Sequence, residues 1–357
     1  MTGHLVMPQN AIDANRPLWH QLRAEGLGAS EFAVMLGLAP RSHGNPYSLW
    51  VAKRTGKHHV QDADELARGR VLEPYVAGQL AEMRPDLALL PGGLYRHPDH
   101  PWMMATFDRF AINMSQIDEG QRSVLATPSA LTLFGHLATP VEIKTAHEGA
   151  EHHEEWGEEG SALVPMQYRC QALVQMAIWG AQEVIIPVQF MLGWRTAIYV
   201  IKRDADAEGD IKWMIERGEE FMRRVRDNEP PEIDWSKETA VALRTLNPLE
   251  PETLHRVSAT KAKRLKRAYL RKKAAEEAYG LVANQLSAEA KGAHRIVVVD
   301  PDNDQRDITV LTRSESNPKR VSVKLLRERY PDIAEECEVQ ADEPESRLIP
   351  GRKWMKS

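Results

Sequence analysis

Three residues in the middle of the chain have the types and spacing that metal-assisted phosphodiester hydrolysis needs. The segment TPVEIKTA, residues 139–146, alternates apolar and polar residues like a half-buried strand. On such a strand, Glu142 and Lys144 leave the same face. Asp108 stands inside the apolar run WMMATFDRF, although Asp is disfavoured in strands. Singly, each feature has an ordinary interpretation: a solvated strand face for the pair and a turn for Asp108.

Together these residues describe a specific chemistry. Carboxylates bind Mg²⁺ through oxygen. The metal polarises a phosphate and lowers the pKa of its bound water. A neighbouring lysine orients or deprotonates that water and offsets charge in the transition state. Glu73, in GRVLEPYVA, lies beside the apolar stripe of a predicted helix and is a further candidate, although a boundary position on an amphipathic helix is the commoner interpretation.

A later predicted helix carries a polar stripe. Tyr168, Gln171 and Gln175 stand at i, i+3 and i+7 and therefore share one face. A surface glutamine is the simpler interpretation of Gln171. The opposite stripe is expected to face the core and comprises Met166, Cys170, Leu173 and Ala177.

The elements that must position these residues alternate between helices and strands, which predicts a mixed α/β sheet with helices packed on it. Residues 1–15 are predicted as a loose tail, and residues 113–138 lack periodicity and are predicted as an insertion. The predicted helices cover residues 17–24, 30–36 (with Ser30 as N-cap), 47–54, 63–83, 165–179 and 209–228. Residues 92–113 are predicted as two strands joined by a Pro-rich turn, and further strands are predicted over 139–146, 183–193 and 195–203.

The composition changes after residue 236, where an accessory region to residue 345 is predicted, followed by a tail over 346–357. TKAKRLKRAYLRKKAAEEAY, residues 260–279, predicts a basic helical arm, and residues 294–313 predict a β-hairpin. A charged helix of this kind is commonly a solvated or assembly arm, and contact with DNA phosphates is the alternative.

Overall composition excludes several classes of protein. Of 357 residues, 42% are hydrophobic and 27% charged, as in ordinary globular proteins. A net charge of −5 gives no general basic signature, so a nucleic-acid partner would require local positive charge. Two cysteines are too few for a disulfide framework or an all-cysteine iron–sulfur site. No signal-peptide or membrane-spanning run is evident, which favours a cytoplasmic protein.

Five short segments in a fixed order give the chain a family resemblance over residues 16–235. They are RAEGLGASEF, GRVLEPYVA, HPDHPWMMATFDRF, VEIKTA and VPMQYRCQALVQMAIWG. The chain resembles the lambda-exonuclease family, the YqaJ-like viral recombinases of the PD-(D/E)xK nuclease superfamily. The resemblance implies a PD-(D/E)xK nuclease core with a mixed central sheet flanked by helices, plus a C-terminal helical and β-hairpin extension. Two departures are the Thr106–Phe107 pair before Asp108, where the motif has Pro, and the long interval from Asp108 to Glu142.

The resemblance also implies roles for individual residues. The metal ligands would be Asp108, Glu142 and the main-chain carbonyl of Ile143, with Glu73 for a second ion. Lys144 takes the place of the catalytic lysine, and Tyr168 and Gln171 match the catalytic Tyr-x-x-Gln. Arg23 and Ser30, seven residues apart, match the residues that hold the 5′-phosphate of DNA, and Arg41 is the candidate for a second arginine there. The implied cofactor is Mg²⁺, with Mn²⁺ as a substitute.

The implied activity is Mg²⁺-dependent 5′-to-3′ resection of linear double-stranded DNA from 5′-phosphorylated ends, which leaves 3′ single-stranded overhangs for phage-type recombination. The implied assembly is a homo-oligomeric ring, a trimer or tetramer, acting with a single-strand annealing recombinase in the cytoplasm of a host bacterium. One alternative is a PD-(D/E)xK endonuclease or helicase-associated nuclease. The other is a catalytically inactive DNA-end-binding protein, against which the intact Asp108, Glu142 and Lys144 argue.

Overall fold

Two compact units make up the chain, Met1–Pro248 and Leu249–Ser357. The computed structural model describes residues 3–56, 63–146, 156–191, 193–248, 254–300, 303–312 and 327–336. Among these residues, no helix is long and apolar enough to cross a membrane.

An eight-stranded mixed sheet runs through the first unit. Its strands are β1 His4–Pro8, β2 Leu27–Gly28, β3 Leu87–Arg96, β4 Met103–Asn113, β5 Thr139–Val141, β6 Lys144–Ala146, β7 Glu183–Phe190 and β8 Arg195–Lys202. The strand order is β1-β3-β4-β5-β7-β6, with β2 beside β4 and β8 beside β7. Strands β3 and β4 are antiparallel, whereas β7 is parallel to both β5 and β6. The predicted mixed α/β fold is therefore confirmed.

The helices of this unit flank the sheet. They are α1 Gln9–Ala14, α2 Arg16–Ala24, α3 Phe32–Met35, α4 Pro46–Thr55, α5 Ala63–Met83, α6 Ala130–Phe134, α7 Met166–Trp179, α8 Ala205–Asp227 and α9 Lys237–Leu246. Local sequence explains several ends. The Asn45 side chain accepts from the Ser48 amide to begin α4, and Gly56, at φ 68°, ends it. Pro165 precedes α7, and Gly180, at φ 76°, ends that helix.

The predicted loose tail over residues 1–15 is wrong for residues 4–14. Strand β1 pairs with β3, from His4 opposite Arg96 to Pro8 opposite Gly93. Met7 and Ile12 are buried in a small core with Leu94 and Met104. A strand of five residues is too short to show a clear periodicity, and its apolar Leu5 is exposed. The sequence pattern therefore did not predict this strand.

The predicted insertion between β4 and β5 consists of 3₁₀ turns and α6, and it belongs to the main core. Ile117, Leu125 and Ala130 are buried there. The indole Nε1 of Trp179 donates to the carbonyls of Gly135 at 3.2 Å and Ala138 at 2.9 Å. The segment therefore lengthens the connection and closes the core at the end of α7.

The first unit extends beyond the predicted domain boundary at residue 235. The amide of Asn45 donates to Ser236 Oγ at 2.6 Å and Thr239 Oγ1 at 2.8 Å. These bonds attach the start of α9 to the start of α4. Residues 236–248 accordingly fold with the sheet.

The second unit contains the predicted basic helix and hairpin. Helix α10 spans Ala259–Glu289, β9 spans Arg295–Asp300, β10 spans Asn303–Thr312 and α11 spans Pro331–Glu336. Strands β9 and β10 pair antiparallel. The tail predicted over 346–357 lies outside the described residues.

Candidate active site

A break between two strands brings the Asp and the Glu-x-Lys together. Strand β5 ends at Val141 and β6 begins at Lys144, so the prediction of one strand over 139–146 is wrong. The Glu142 amide donates to the Ile185 carbonyl at 2.9 Å, whereas the Ile143 amide donates to Asp108 Oδ2 at 2.8 Å. The Asp108 carboxylate thus satisfies an amide that an uninterrupted strand would have directed to its neighbour.

Asp108 lies inside β4, so the alternative of a turn is wrong. The register passes from Pro91 opposite Arg109 to Gly93 opposite Phe107. At Gly92, between these pairs, a Cβ would lie 1.8 Å from the Phe107 carbonyl oxygen, so only glycine allows this close backbone approach. Gly92 thus allows β3 to approach β4 closely beside Asp108, and this approach helps to position the Asp108 carboxylate.

Glu142 accepts hydrogen bonds from three side chains. Its exposed fraction is 3%, so the solvated-face interpretation is wrong for this residue. Oε1 accepts from Lys144 Nζ at 2.6 Å and from Gln171 Nε2 at 2.6 Å, and Oε2 accepts from Gln175 Nε2 at 2.5 Å. Lys144 Nζ also donates to Gln171 Oε1 at 3.1 Å. The four side chains form one connected network.

The polar stripe of α7 faces inward. Gln171 is 9% exposed and Gln175 is fully buried, so the surface interpretation of Gln171 is wrong. The predicted core residue Met166 is instead 50% exposed. Within the described residues, Gln175 Oε1 has no hydrogen-bond partner. Helical periodicity predicts that Gln175, four residues after Gln171, lies on the same face. This second glutamine on the polar stripe is the sequence signal that could have identified Gln175 as part of the site.

Electrostatics in this site favour added positive charge. Burial raises the pKa of Asp108 well above its usual 3.8, and the charges of Glu142 and Glu73 raise it further. Burial alone would lower the pKa of Lys144, but Glu142 and Asp108 hold it above 10.5. The site therefore combines a protonated lysine with buried carboxylates that repel one another.

Glu73 approaches the same carboxylates from α5. It forms an ion pair with Arg109, Oε1 to Nη1, at 2.7 Å. The same Arg109 nitrogen donates to the Asp108 carbonyl at 2.6 Å. Glu73 is thus held beside Asp108, and its binding of a second ion stays a prediction.

Tyr168 borders the lysine. Lys144 Nζ lies 4.8 Å from the centroid of the Tyr168 ring, within the range of a cation–π contact. The Trp156 ring packs against Tyr168, with 5.6 Å between the ring centroids. Tyr168 therefore covers one side of the ammonium group, and Trp156 supports the Tyr168 ring.

The donor set fits a hard divalent cation. In the described part of the chain, no three His, Cys, Asp or Glu side chains form a preformed metal cage. Mg²⁺ does not require one, because it keeps several waters and binds through one or two carboxylates. Two carboxylate oxygens offer about four acceptor positions, and the three donors on Glu142 leave one at Oε2. Asp108, Glu142 and the Ile143 carbonyl are therefore compatible ligands.

A second polar site forms where β2 meets α3. Arg23 Nη2 donates to Ser30 Oγ at 3.3 Å, and the Arg23 guanidinium lies 4.7 Å from the centroid of the Trp19 ring. The prediction of Ser30 as N-cap is wrong, because the turn begins at Ala29 and Gly28 is its cap. The Gly28 amide donates to Glu31 Oε2 at 2.6 Å, which leaves the Ser30 hydroxyl to Arg23.

A buried ion pair that the sequence did not indicate lies next to this site. Lys53 Nζ lies 2.7 Å from Glu31 Oε2 and donates to the Arg23 carbonyl at 3.3 Å. The Lys53 side chain is fully buried. Burial opposes ionisation of Glu31, but Lys53 and Arg23 lower its pKa below 4.5. The pair joins α3, α4 and the end of α2.

Strand β4 connects the two polar sites. Gly28 pairs with Met104, four residues before Asp108, a separation of about 13 Å along a strand. Arg41 falls in the 3₁₀ turn Arg41–His43, and its side chain lies outside the described part of the structure.

The fold and the site match the predicted arrangement. A mixed sheet flanked by helices carries Asp108 on one strand and Glu-x-Lys after the strand that pairs with it, which is the pattern expected from the resemblance to PD-(D/E)xK nucleases. The model of the YqaJ-like viral recombinase domain matches residues 18–182. This part of the chain is therefore similar to the YqaJ-like viral recombinase domain.

Two solved structures that match this chain are distant in sequence. An alkaline exonuclease from Laribacter hongkongensis is 18% identical, with a TM-score of 0.39, over 59% of this chain and 97% of that one. A phage-related exonuclease from Haemophilus somnus is 12% identical, with a TM-score of 0.36, over 59% of this chain and 99% of that one. No curated protein matches the sequence significantly.

Proposed function

We propose that the protein is a Mg²⁺-dependent deoxyribonuclease of the lambda-exonuclease type that resects linear duplex DNA from 5′-phosphorylated ends. The observation that carries this proposal is a cluster within a YqaJ-like domain. In it, Lys144 and Gln171 donate to Glu142, and the adjacent Ile143 amide donates to Asp108. Mn²⁺ is the expected substitute.

The residues of the chain have separable tasks in this proposal. Asp108, Glu142 and the Ile143 carbonyl would hold the metal, which when bound supplies Lewis-acid activation of the phosphate and of a water. Lys144 donates to Glu142 and Gln171. It is therefore placed to stabilise negative charge and to orient or help deprotonate the water. Gln171 holds both Lys144 and Glu142.

The Arg23–Ser30 site supports the proposed polarity. A guanidinium and a hydroxyl are suited to a terminal phosphate. Gly28, which lies between Arg23 and Ser30 in the sequence, pairs with Met104, and Met104 is about 13 Å along β4 from Asp108. The phosphate site and the active site are thus proposed to contact the same DNA strand end. If the terminal phosphate binds at Arg23, the strand that enters the active site is the one with the 5′ end, so resection leaves a 3′ overhang.

The setting of the reaction rests on the family resemblance. We infer phage-type recombination in a bacterial cytoplasm, a ring of three or four subunits that encloses the DNA, and a single-strand annealing recombinase as partner. Enclosure in a ring would give processive resection.

The experiment uses the full chain, Mg²⁺ and linear duplexes labelled at either strand, with and without a 5′-phosphate. We expect loss of nucleotides from the 5′ end, faster on phosphorylated ends, and no cutting of closed circles. The Lys144→Ala variant should lose activity by about 10²- to 10⁴-fold while it still binds the duplex. Cutting of closed circles would favour an endonuclease, and binding without degradation would favour an inactive end-binding protein. Wild-type activity in Lys144→Ala would remove the lysine from the mechanism.

A further inference from the structure

The helix α10 carries a strong local excess of positive charge. Residues 259–273 contain eight Lys and Arg and no Asp or Glu, although the net charge of the whole chain is −5. The acidic residues Glu276 and Glu277 begin only in the second half of the helix. Positive charge is thus concentrated in the first fifteen residues, which span about 22 Å of helix.

Three arginines in this half form one exposed face. Arg264, Arg267 and Arg271 stand at i, i+3 and i+7, within an arc of about 60°. All three are exposed, and α10 has no buried residue. None of the three pairs with a carboxylate in the described part of the chain, whereas Lys272 and Lys273 lie 3.6 and 3.5 Å from Glu276 and Glu277.

We propose that the arginine face of α10, formed by Arg264, Arg267 and Arg271, binds the phosphate backbone of double-stranded DNA. Like charges on adjacent turns destabilise a helix, and duplex phosphates relieve that repulsion. The duplex presents one negative charge per about 1.7 Å of its axis, so several phosphates come within reach of a face this long. Guanidinium groups bind phosphate oxygens through paired donors.

The position of the apolar residues argues against a protein partner on this face. By the helix period, Leu265 and Tyr269 point away from the three arginines, and Leu270 lies outside their arc, about 60° beyond Arg267. A protein interface has an apolar centre and is depleted of charge there. The arginine face lacks such a centre, so it is suited to phosphates, and contacts to phosphates carry no sequence information.

The test is DNA binding by the full chain without divalent metal, so that the probe stays intact. The probe is a duplex closed by a loop at each end, which has no free terminus and so does not depend on the proposed exonuclease site. We expect Arg264→Gln/Arg267→Gln/Arg271→Gln to weaken binding about 10-fold or more near 0.1 M salt. The slope of log affinity against log salt should decrease by about 2 to 3, since each phosphate contact contributes about 0.9.

A matched control removes three charges from the same helix, as Lys261→Gln/Lys272→Gln/Lys273→Gln. We expect a clearly smaller change, because Glu276 and Glu277 already offset two of these lysines. The charge-conserving variant Arg264→Lys/Arg267→Lys/Arg271→Lys should retain most of the binding and most of the slope. Circular dichroism would verify that helix content is unchanged.

Two results would overturn the proposal. One is wild-type affinity of the arginine-to-glutamine variant at every salt concentration. The other is equal weakening by the lysine control, which would show that net charge matters and the face does not. If the glutamine variant fails to fold, the single variants Arg264→Ala, Arg267→Ala and Arg271→Ala are measured instead. Unchanged DNA affinity in all three would also overturn the proposal. Exonuclease activity on linear DNA is measured in a separate assay. A chain without that activity would contradict the proposed function but would not affect the binding test of α10.

Discussion

Gln175 donates to one oxygen of Glu142 from a fully buried position on α7, while Lys144 and Gln171 donate to the other oxygen. The carboxylate is therefore held from both sides, and its plane cannot turn without the loss of a hydrogen bond to a charged group. Such bonds contribute about 1.5–3 kcal/mol each. Gln175 is thus a positioning residue for the metal ligand that Glu142 is proposed to be.

Gln175→Leu is expected to lower kcat about 10- to 100-fold, the equivalent of that hydrogen-bond energy. KM for DNA should not change, because a fully buried side chain cannot touch the substrate. Steady-state kinetics at saturating Mg²⁺ would measure both values. The control is Gln189→Leu, an equally buried glutamine that bonds to Thr196 on the β7–β8 pair. That variant should lose stability and keep its kcat per folded molecule; equal kcat losses in both variants would show a general packing effect.

Asp108→Asn should strongly reduce activity and stabilise the fold. Because the pKa of Asp108 is raised in the folded state, the folded chain holds this proton to higher pH than the unfolded chain does. The free energy of unfolding therefore falls as pH rises from about 4 through the raised pKa. Asparagine does not ionise, so the variant should not lose unfolding free energy in this way as pH rises. Its side-chain oxygen can still accept from the Ile143 amide. Activity should fall on the order of 10³-fold.

Calorimetry between pH 4 and pH 8 would test this sign. The Tm of Asp108→Asn should exceed that of the wild type near pH 8, and the difference should narrow toward pH 4. Added Mg²⁺ should raise the wild-type Tm more than that of the variant, because a ligand stabilises the state that binds it. The control Asp86→Asn should act in the opposite direction at neutral pH, since Arg84 lowers the pKa of that exposed carboxyl. A lower Tm for Asp108→Asn at every pH would refute the electrostatic argument.

Arg23→Ala is expected to lose the preference for phosphorylated ends. The ratio of kcat/KM for 5′-phosphate over 5′-hydroxyl ends should fall about 10- to 100-fold, because a charge-assisted contact is lost. Arg16→Ala is the matched control: its guanidinium also lies against Trp19, at 5.4 Å, but pairs with Asp13. An unchanged ratio in Arg23→Ala, or the same loss in both variants, would exclude Arg23 from phosphate recognition.

Sequence patterns were sufficient where a single segment carried the signal. The helices over 63–83 and 166–179 and the hairpin strands around Asp108 follow from apolar periodicity within one continuous stretch. The residue types and spacing at Asp108, Glu142 and Lys144 are enough to predict a candidate site from the sequence alone. Helix and strand periodicity and residue types are properties of one continuous segment, so the sequence of that segment is sufficient to predict them.

The remainder depends on contacts between distant segments. The break at Ile143 arises because an amide finds the Asp108 carboxylate on another strand. The rule that polar residues face water is inverted at Gln175, because Glu142 supplies its partner in the core. Lys53 resembles any helical lysine until α4 packs against α3 and buries it on Glu31. No periodicity encodes such pairs.

The Glu31–Lys53 pair yields the last prediction. Lys53→Met leaves Glu31 charged and buried without its partner, which costs about 3–5 kcal/mol of folding free energy. Glu31→Gln/Lys53→Met removes both charges and should recover most of that loss. The double variant should still discriminate 5′-phosphate ends less well than the wild type, because the Lys53 bond to the Arg23 carbonyl and the Glu31 bond to the Gly28 amide both change.

Denaturant unfolding of the wild type, Glu31→Gln, Lys53→Met and the double variant would give the double-mutant cycle and hence the coupling energy of the two charges. The pH dependence gives an independent sign. Because the pKa of folded Glu31 is lowered, its stabilising contribution is complete above the unfolded value of about 4.5 and is lost as pH falls through the lowered pKa. The wild type should therefore lose more stability than the double variant below pH 4.5. Additive single-variant effects, or parallel acid profiles, would mean that the two charges do not act as a pair.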